Sequence, residues 1–199
     1  MEREIRSNAV PAEIREDDAG IRVEGYAAVF NEETDIGGFF REVIAPGAFD
    51  DAISRDDVVF LVNHEGLPLA RSRAGQGTMA LSVDDHGLKV STSLDATDPD
   101  VQSIVGKMRR GDLDKMSFAF LPEVSEWDES QDPPLRTIRK VRLFDVSIVT
   151  TPAYAGTEIG LRSLEQHRDK QKRTDNFNAV QTRRRLKQTY LATKTRENG

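Results

Sequence analysis

The chain has 199 residues, 37% hydrophobic and 31% charged, with a net charge of −6 and no cysteine. That length suits one domain of ordinary size and a tail, and the absence of cysteine excludes disulfides, thiol catalysis and cysteine-based zinc sites, as fits a reducing compartment. No run approaches a membrane span, the charged start lacks the apolar core of a secretory signal, and three histidines without a close pair argue against a His-rich metal site, so neither metal nor cofactor is expected.

The charge is uneven. Residues 164–199 carry ten Lys/Arg against four Asp/Glu, and residues 1–163 carry 18 against 30. An acidic body with a basic tail points to two functional parts. The expected organisation is a polar arm over 1–20, a folded domain over 21–163, and a basic tail over 164–199 that is disordered or helical on a partner.

In chain order, the arm is loose, with Glu4-Ile5-Arg6 as an optional edge strand. Ile21 to Phe30 alternates in polarity and predicts a strand. A turn-rich loop, Asn31 to Asp35, leads to a second strand over Phe39–Ile44, which Pro46 and Gly47 end. Ala48–Ile53 reads as a short helix with acids near its start. Val58–His64 is apolar on both faces and predicts an interior strand, with His64 at its end on the face of Val58, Phe60 and Val62. Leu67–Ser72 is a further short strand. Thr78–Val83 and Gly87–Leu94 flank Asp84-Asp85-His86 as a hairpin. Thr97-Asp98-Pro99 starts a helix, Val101, Ile104, Val105 and Met108 line one face of it, and Gly111 stops it. Met116–Phe120 is a strand, Glu126–Pro134 an acidic loop, and Leu135–Ile148 a long strand region ended by Pro152. These elements predict a mainly β (α+β) fold, an antiparallel β-barrel of about seven strands with a few helices around it and a polar C-terminal extension.

Side chains alternate across a strand, so Met116, Phe118 and Phe120 face one way and Ser117 and Ala119 the other. The second face is small, carries a hydroxyl, and leaves space above the serine for another molecule. Hydrolysis at a serine requires a base, a group that orients the base, and donors for an oxyanion. His64 is the base by elimination, because His86 lies in a turn and His167 in the tail. Asp145 stands among Leu143, Phe144, Val146 and Ile148, where an unpartnered carboxylate is costly. Taken singly, each has a plainer reading: His64 as a strand-end residue, Ser117 as a packing choice, Asp145 as the partner of Arg139 or Arg142. The acids Asp50, Asp51, Asp56 and Asp57 lack the ligand spacing of a cation loop. A backbone N–H near Ser117 or the Arg139 side chain are the candidate oxyanion donors.

Five segments occur in an order that resembles the HK97-type prohead maturation proteases of tailed bacteriophages. They are Gly25–Asn31, Phe40–Phe49, Asn63-His64-Glu65, Met116–Phe120 and Phe144–Tyr154. That family is related to the herpesvirus assembly proteases, whose fold is a β-barrel ringed by helices. The resemblance implies His64 as general base, Ser117 as nucleophile and Asp145 in the third catalytic position. Two positions depart from the family pattern: Ala119 stands where glycine is frequent, and Glu65 where aspartate is frequent. Alanine still keeps that face small. The implied activity is a serine endopeptidase that cuts the scaffolding region of the major capsid protein, or scaffold, and then itself, inside the assembling prohead in the host cytoplasm. Self-association and docking of the basic tail on scaffold are further expectations. Contact of the tail with nucleic acid is the lesser one, no membrane partner is expected, and the rival reading is a non-catalytic capsid assembly or scaffolding protein of the same fold.

Overall fold

The computed structural model describes residues 3–17, 20–150 and 157–197. The chain divides into two compact units, Met1–Gly160 and Leu161–Gly199. The first unit opens with β1 (Glu4–Pro11), β2 (Glu13–Asp17), β3 (Gly20–Val29), β4 (Thr34–Ile36) and β5 (Phe40–Ile44). Then come α1 (Asp50–Arg55), β6 (Asp57–Val62), β7 (Glu65–Arg73), β8 (Gln76–Gly77), β9 (Met79–Val83) and β10 (Gly87–Leu94). It closes with α2 (Pro99–Arg110), β11 (Lys115–Asp128) and β12 (Leu135–Val149). The helix α3 (Thr157–Glu197) follows. Pro152, read as the stop of the last strand, lies outside the described residues, as do Met1 and Glu2.

Among the described residues the fold is mostly β with three helices, and the strands form two open sheets rather than one closed barrel. One runs β1-β11-β12-β6-β7-β8, with β5 joined to β12 and β4 to β5; the other runs β2-β3-β10-β9. The expectation of an antiparallel arrangement also needs correction. Leu135–Ile138 of β12 pairs parallel with β5, and Asp145–Ile148 pairs parallel with β6. A long strand offers its edge to two partners in turn, and strand succession in a sequence does not reveal which distant segments those are. The extra strands are short or polar. β4 has three residues and β8 two, too few to show a period, and β1 and β2 carry mostly polar side chains in the arm.

The two sheets share one hydrophobic cluster that includes Val23, Phe49, Phe60, Leu88, Met116, Phe118, Phe120 and Val146. Met116, Phe118 and Phe120 anchor β11 in it, as their alternation predicts. Helix α2 delivers the chain to β11. The Asp98 carboxylate caps it by accepting from the Asp100 N–H, and Gly111 ends it in the left-handed conformation at φ 76°. Behind β11, Gly25 of β3 leaves no room for a side chain: a Cβ there would lie 2.6 Å from Met116 Sδ and 3.1 Å from Ala12 Cα. That close approach presses β3 against the strand that carries Ser117.

In the second unit, α3 has no continuous apolar face, and Phe177, Val180 and Leu186 are exposed on it. Among the described residues no helix is long and apolar enough to cross a membrane.

Candidate active site

Three local devices bring Ser117, His64 and Asp145 together. The first is the β11–β12 ladder. Ser117 lies opposite Ser147, and Ala119 opposite Asp145. Directly opposed residues of an antiparallel pair share a face, so these four occupy one side of the sheet.

The second is the turn between β6 and β7. Val62 pairs with Glu65, and Asn63 and His64 between them have φ of 51° and 62°. Two central residues with positive φ define a tight hairpin turn in which glycine is favoured. His64 therefore belongs to the turn and not to the strand end, and the turn rather than the pleat sets its direction. Asn63 fixes this turn to the end of β12. Its Oδ1 accepts the Thr150 N–H at 3.0 Å, and its own N–H donates to the Ile148 carbonyl at 3.0 Å. Holding a histidine where glycine is easier costs on the order of 1 kcal/mol or more, and it aims the ring across the β12 edge.

The third is a chain of short hydrogen bonds. His64 Nε2 lies 2.7 Å from Ser117 Oγ, and His64 Nδ1 lies 2.6 Å from Asp145 Oδ1. Burial first, and then the positive charge of Arg3, lower the His64 pKa from its usual 6.5 to about 4. The ring is thus neutral at pH 7. With Nδ1–H donated to the carboxylate, the Nε2 lone pair is left facing the serine hydroxyl.

Asp145 is 1% exposed and has three donors: the His64 ring, the Ser147 hydroxyl at 2.9 Å and the Arg3 guanidinium. The alternative partners fall away. Arg139 pairs with Glu126, and Arg142 lies over the Phe144 ring. Arg139 also stands six residues before Asp145 on the same strand, about 20 Å away at strand rise, so it is no oxyanion donor for Ser117. The true cation comes from the start of the chain, where no local pattern pointed.

Sequence reasoning missed Ser147. It is fully buried, bonded to Asp145 Oδ1, and 3.2 Å from His64 Nδ1. The available signal was spacing: residues i and i+2 of a strand share a face, so Asp145-x-Ser147 puts a hydroxyl beside the carboxylate.

The expected space above the serine is filled. Ser117 is 0% exposed, Ser7 of β1 lies opposite it, and its Oγ donates to the Arg6 carbonyl at 2.9 Å. The segment read as a loose arm is seated on the candidate nucleophile.

The remaining candidates are engaged elsewhere. His86 packs edge-on against Tyr26 in the β9–β10 turn, and His167 lies on α3. Asp51 pairs with Lys140 and Asp57 with Arg71, while Asp56 pairs with Arg55 and accepts the Leu143 N–H. Among the described residues no cluster of three or more His, Asp or Glu is placed to hold a metal ion.

Compared with protein-family models, residues 9–171 match the family described as caudovirus prohead serine protease. Among solved structures, the chain is similar to the bacteriophage T4 capsid assembly protease, gp21. The identity is 12% and the TM-score 0.49, over 76% of this chain and 98% of that one. Comparison with curated proteins gives no match.

Proposed function

The chain belongs to the caudovirus prohead serine proteases, and from that premise we propose that it is an active serine endopeptidase of capsid maturation. The observation that carries the proposal is the hydrogen-bond chain from Ser117 through His64 to Asp145, at 2.7 and 2.6 Å. In this reading Ser117 Oγ attacks the scissile carbonyl carbon while neutral His64 takes its proton at Nε2. Asp145 holds the ring in the tautomer that leaves Nε2 free and stabilises the imidazolium that forms. His64 then returns the proton to the leaving amine, and water hydrolyses the acyl-enzyme by the same path in reverse. Ser147 keeps the carboxylate in place.

The proposed substrates are the scaffolding region of the major capsid protein or a scaffold protein, and the protease itself, within the prohead in the host cytoplasm. The basic segment 164–199 supports docking on acidic or helical scaffold. Co-expression with the capsid protein of the same phage tests the activity. Wild type is expected to process the capsid protein and shorten itself, and Ser117→Ala and His64→Ala are expected to do neither. Processing that continues in both variants would remove the assignment.

A further inference from the structure

The segment on top of Ser117 is the protein's own. Its strand β1 runs antiparallel to β11, with Glu4 opposite Phe120, Ile5 opposite Ala119, Arg6 opposite Phe118 and Ser7 opposite Ser117. The serine hydroxyl has one proton and two acceptors within reach. The Arg6 carbonyl oxygen lies at 2.9 Å and His64 Nε2 at 2.7 Å. A proton given to Arg6 is not given to the base. Earlier in the chain, Arg3 donates to the same Asp145 carboxylate that orients His64. The arm therefore touches both ends of the catalytic chain.

Its side chains enter a charged pocket. Glu4 and Arg6 are 2% and 7% exposed, and they meet Glu42 and Arg136, each 3% exposed. Arg6 Nε donates to Glu42 at 2.7 Å and Arg6 Nη2 to Glu4 at 2.6 Å; Arg136 Nη1 donates to Glu4 at 2.9 Å and to Glu42 at 3.0 Å. Two acids and two bases neutralise one another. If Glu4 and Arg6 leave, Glu42 and Arg136 still pair, so withdrawal strands no single buried charge. Residues 3–8 supply nothing to the hydrophobic cluster, to which the N-terminal segment contributes first at Ala12. A strand held chiefly by ladder bonds and balanced charge, with no side chain in that cluster, opens at lower cost than the core.

We infer that the β11 edge from Ser117 to Phe120, with the Glu42–Arg136 pocket beside it, is the binding site for an extended peptide strand, and that residues 3–7 occupy it as a tethered mimic. The site takes a peptide by strand addition and selects an acidic residue followed two positions later by a basic one, the pattern of Glu4 and Arg6. Substrate reaches Ser117 only when the arm is displaced. This inference rests on the endopeptidase reading, and the following test separates the two.

Full-length protein is treated with a small fluorophosphonate, and the rate of adduct formation at Ser117 is measured. In Glu4→Ala/Arg6→Ala the arm loses both pocket side chains, and labelling is expected to accelerate about tenfold or more, the factor for a cleft otherwise closed nine-tenths of the time. A synthetic peptide of residues 1–12 is expected to slow the variant again. The same peptide with alanine at positions 4 and 6 is expected to leave it fast. Equal rates for variant and wild type, or equal effects of the two peptides, would overturn the inference. If the double variant does not fold, Arg3→Ala serves, because that side chain is 44% exposed; it too must label faster than wild type, and an unchanged rate overturns the inference. No adduct in any form would instead remove the endopeptidase reading on which the inference stands.

Discussion

Replacing Asp145 by asparagine isolates the charge at the proposed third catalytic position. In the wild type, Oδ1 accepts from His64 and Ser147, and Oδ2 accepts from Arg3. Asparagine turns one of these oxygens into a donor. If the NH2 faced His64 and Ser147, two buried donors would lose their acceptor. If it faces Arg3, a half-exposed guanidinium swings into water. The second choice is cheaper, so the amide oxygen stays on His64 and the ring keeps its tautomer. What is lost is the negative charge opposite the imidazolium. At about 4 Å between charge centres and an effective dielectric of about 20, that attraction is ~4 kcal/mol, which corresponds to about a thousandfold in rate. The assay is the second-order rate of fluorophosphonate labelling at Ser117, with thermal melting as a control. The expected result is a fall of about a thousandfold in a protein that still melts cooperatively. A fall of less than about tenfold in a folded variant would refute the charge-stabilising role. Loss of folding would assign the carboxylate to packing instead.

Three further outcomes follow from the same geometry. Ser147→Ala removes a buried hydrogen bond to a carboxylate, worth about 1.5–3 kcal/mol. Urea unfolding should show a loss of that size, and labelling of Ser117 should slow about tenfold; unchanged kinetics would leave Ser147 a packing residue. Ala119→Leu places a branched side chain at a fully buried position between Ile5 and Asp145. It should cost about 1–3 kcal/mol of stability and abolish processing of co-expressed capsid protein, and normal processing would mean that the small face of β11 does not border the site. Stability should also fall as pH drops from 6.5 toward 4. The folded His64 pKa is lowered to about 4, so in that window the unfolded chain binds a proton that the folded chain resists. The urea midpoint of wild type, relative to His64→Asn, should decrease from pH 7 to pH 4; an increase would reverse the sign assigned to His64.

Where burial or capping leaves a local mark, the elements could be read before the structure. The apolar run Val58–Val62, the hairpin of β9 and β10, and the Asp98 and Gly111 ends of α2 all match their patterns. So does the division of β11 into a bulky face and a small one. The catalytic candidates were legible for a related reason, since an acid among Leu143, Phe144, Val146 and Ile148 announces a partner. Two of its partners, Arg3 and Ser147, were not legible. Arg3 and Asp145 are far apart in sequence, and ladder pairing alone brings them together. The parallel edges of β12 likewise depend on which distant strands find it. The arm showed no apolar period because charge and backbone pairing seat it, and alternation analysis has no purchase on such a strand. His64 was displaced from its expected strand face because two positive φ angles turn the chain just before the ring.

The central claim is that His64 activates Ser117. The most direct measurement is peptide mapping by mass spectrometry after prolonged exposure of full-length protein to a fluorophosphonate, beside His64→Ala. The account predicts a single adduct on Ser117 in the wild type and none on it in His64→Ala. An adduct on another serine, or equal modification of Ser117 in both proteins, would contradict it.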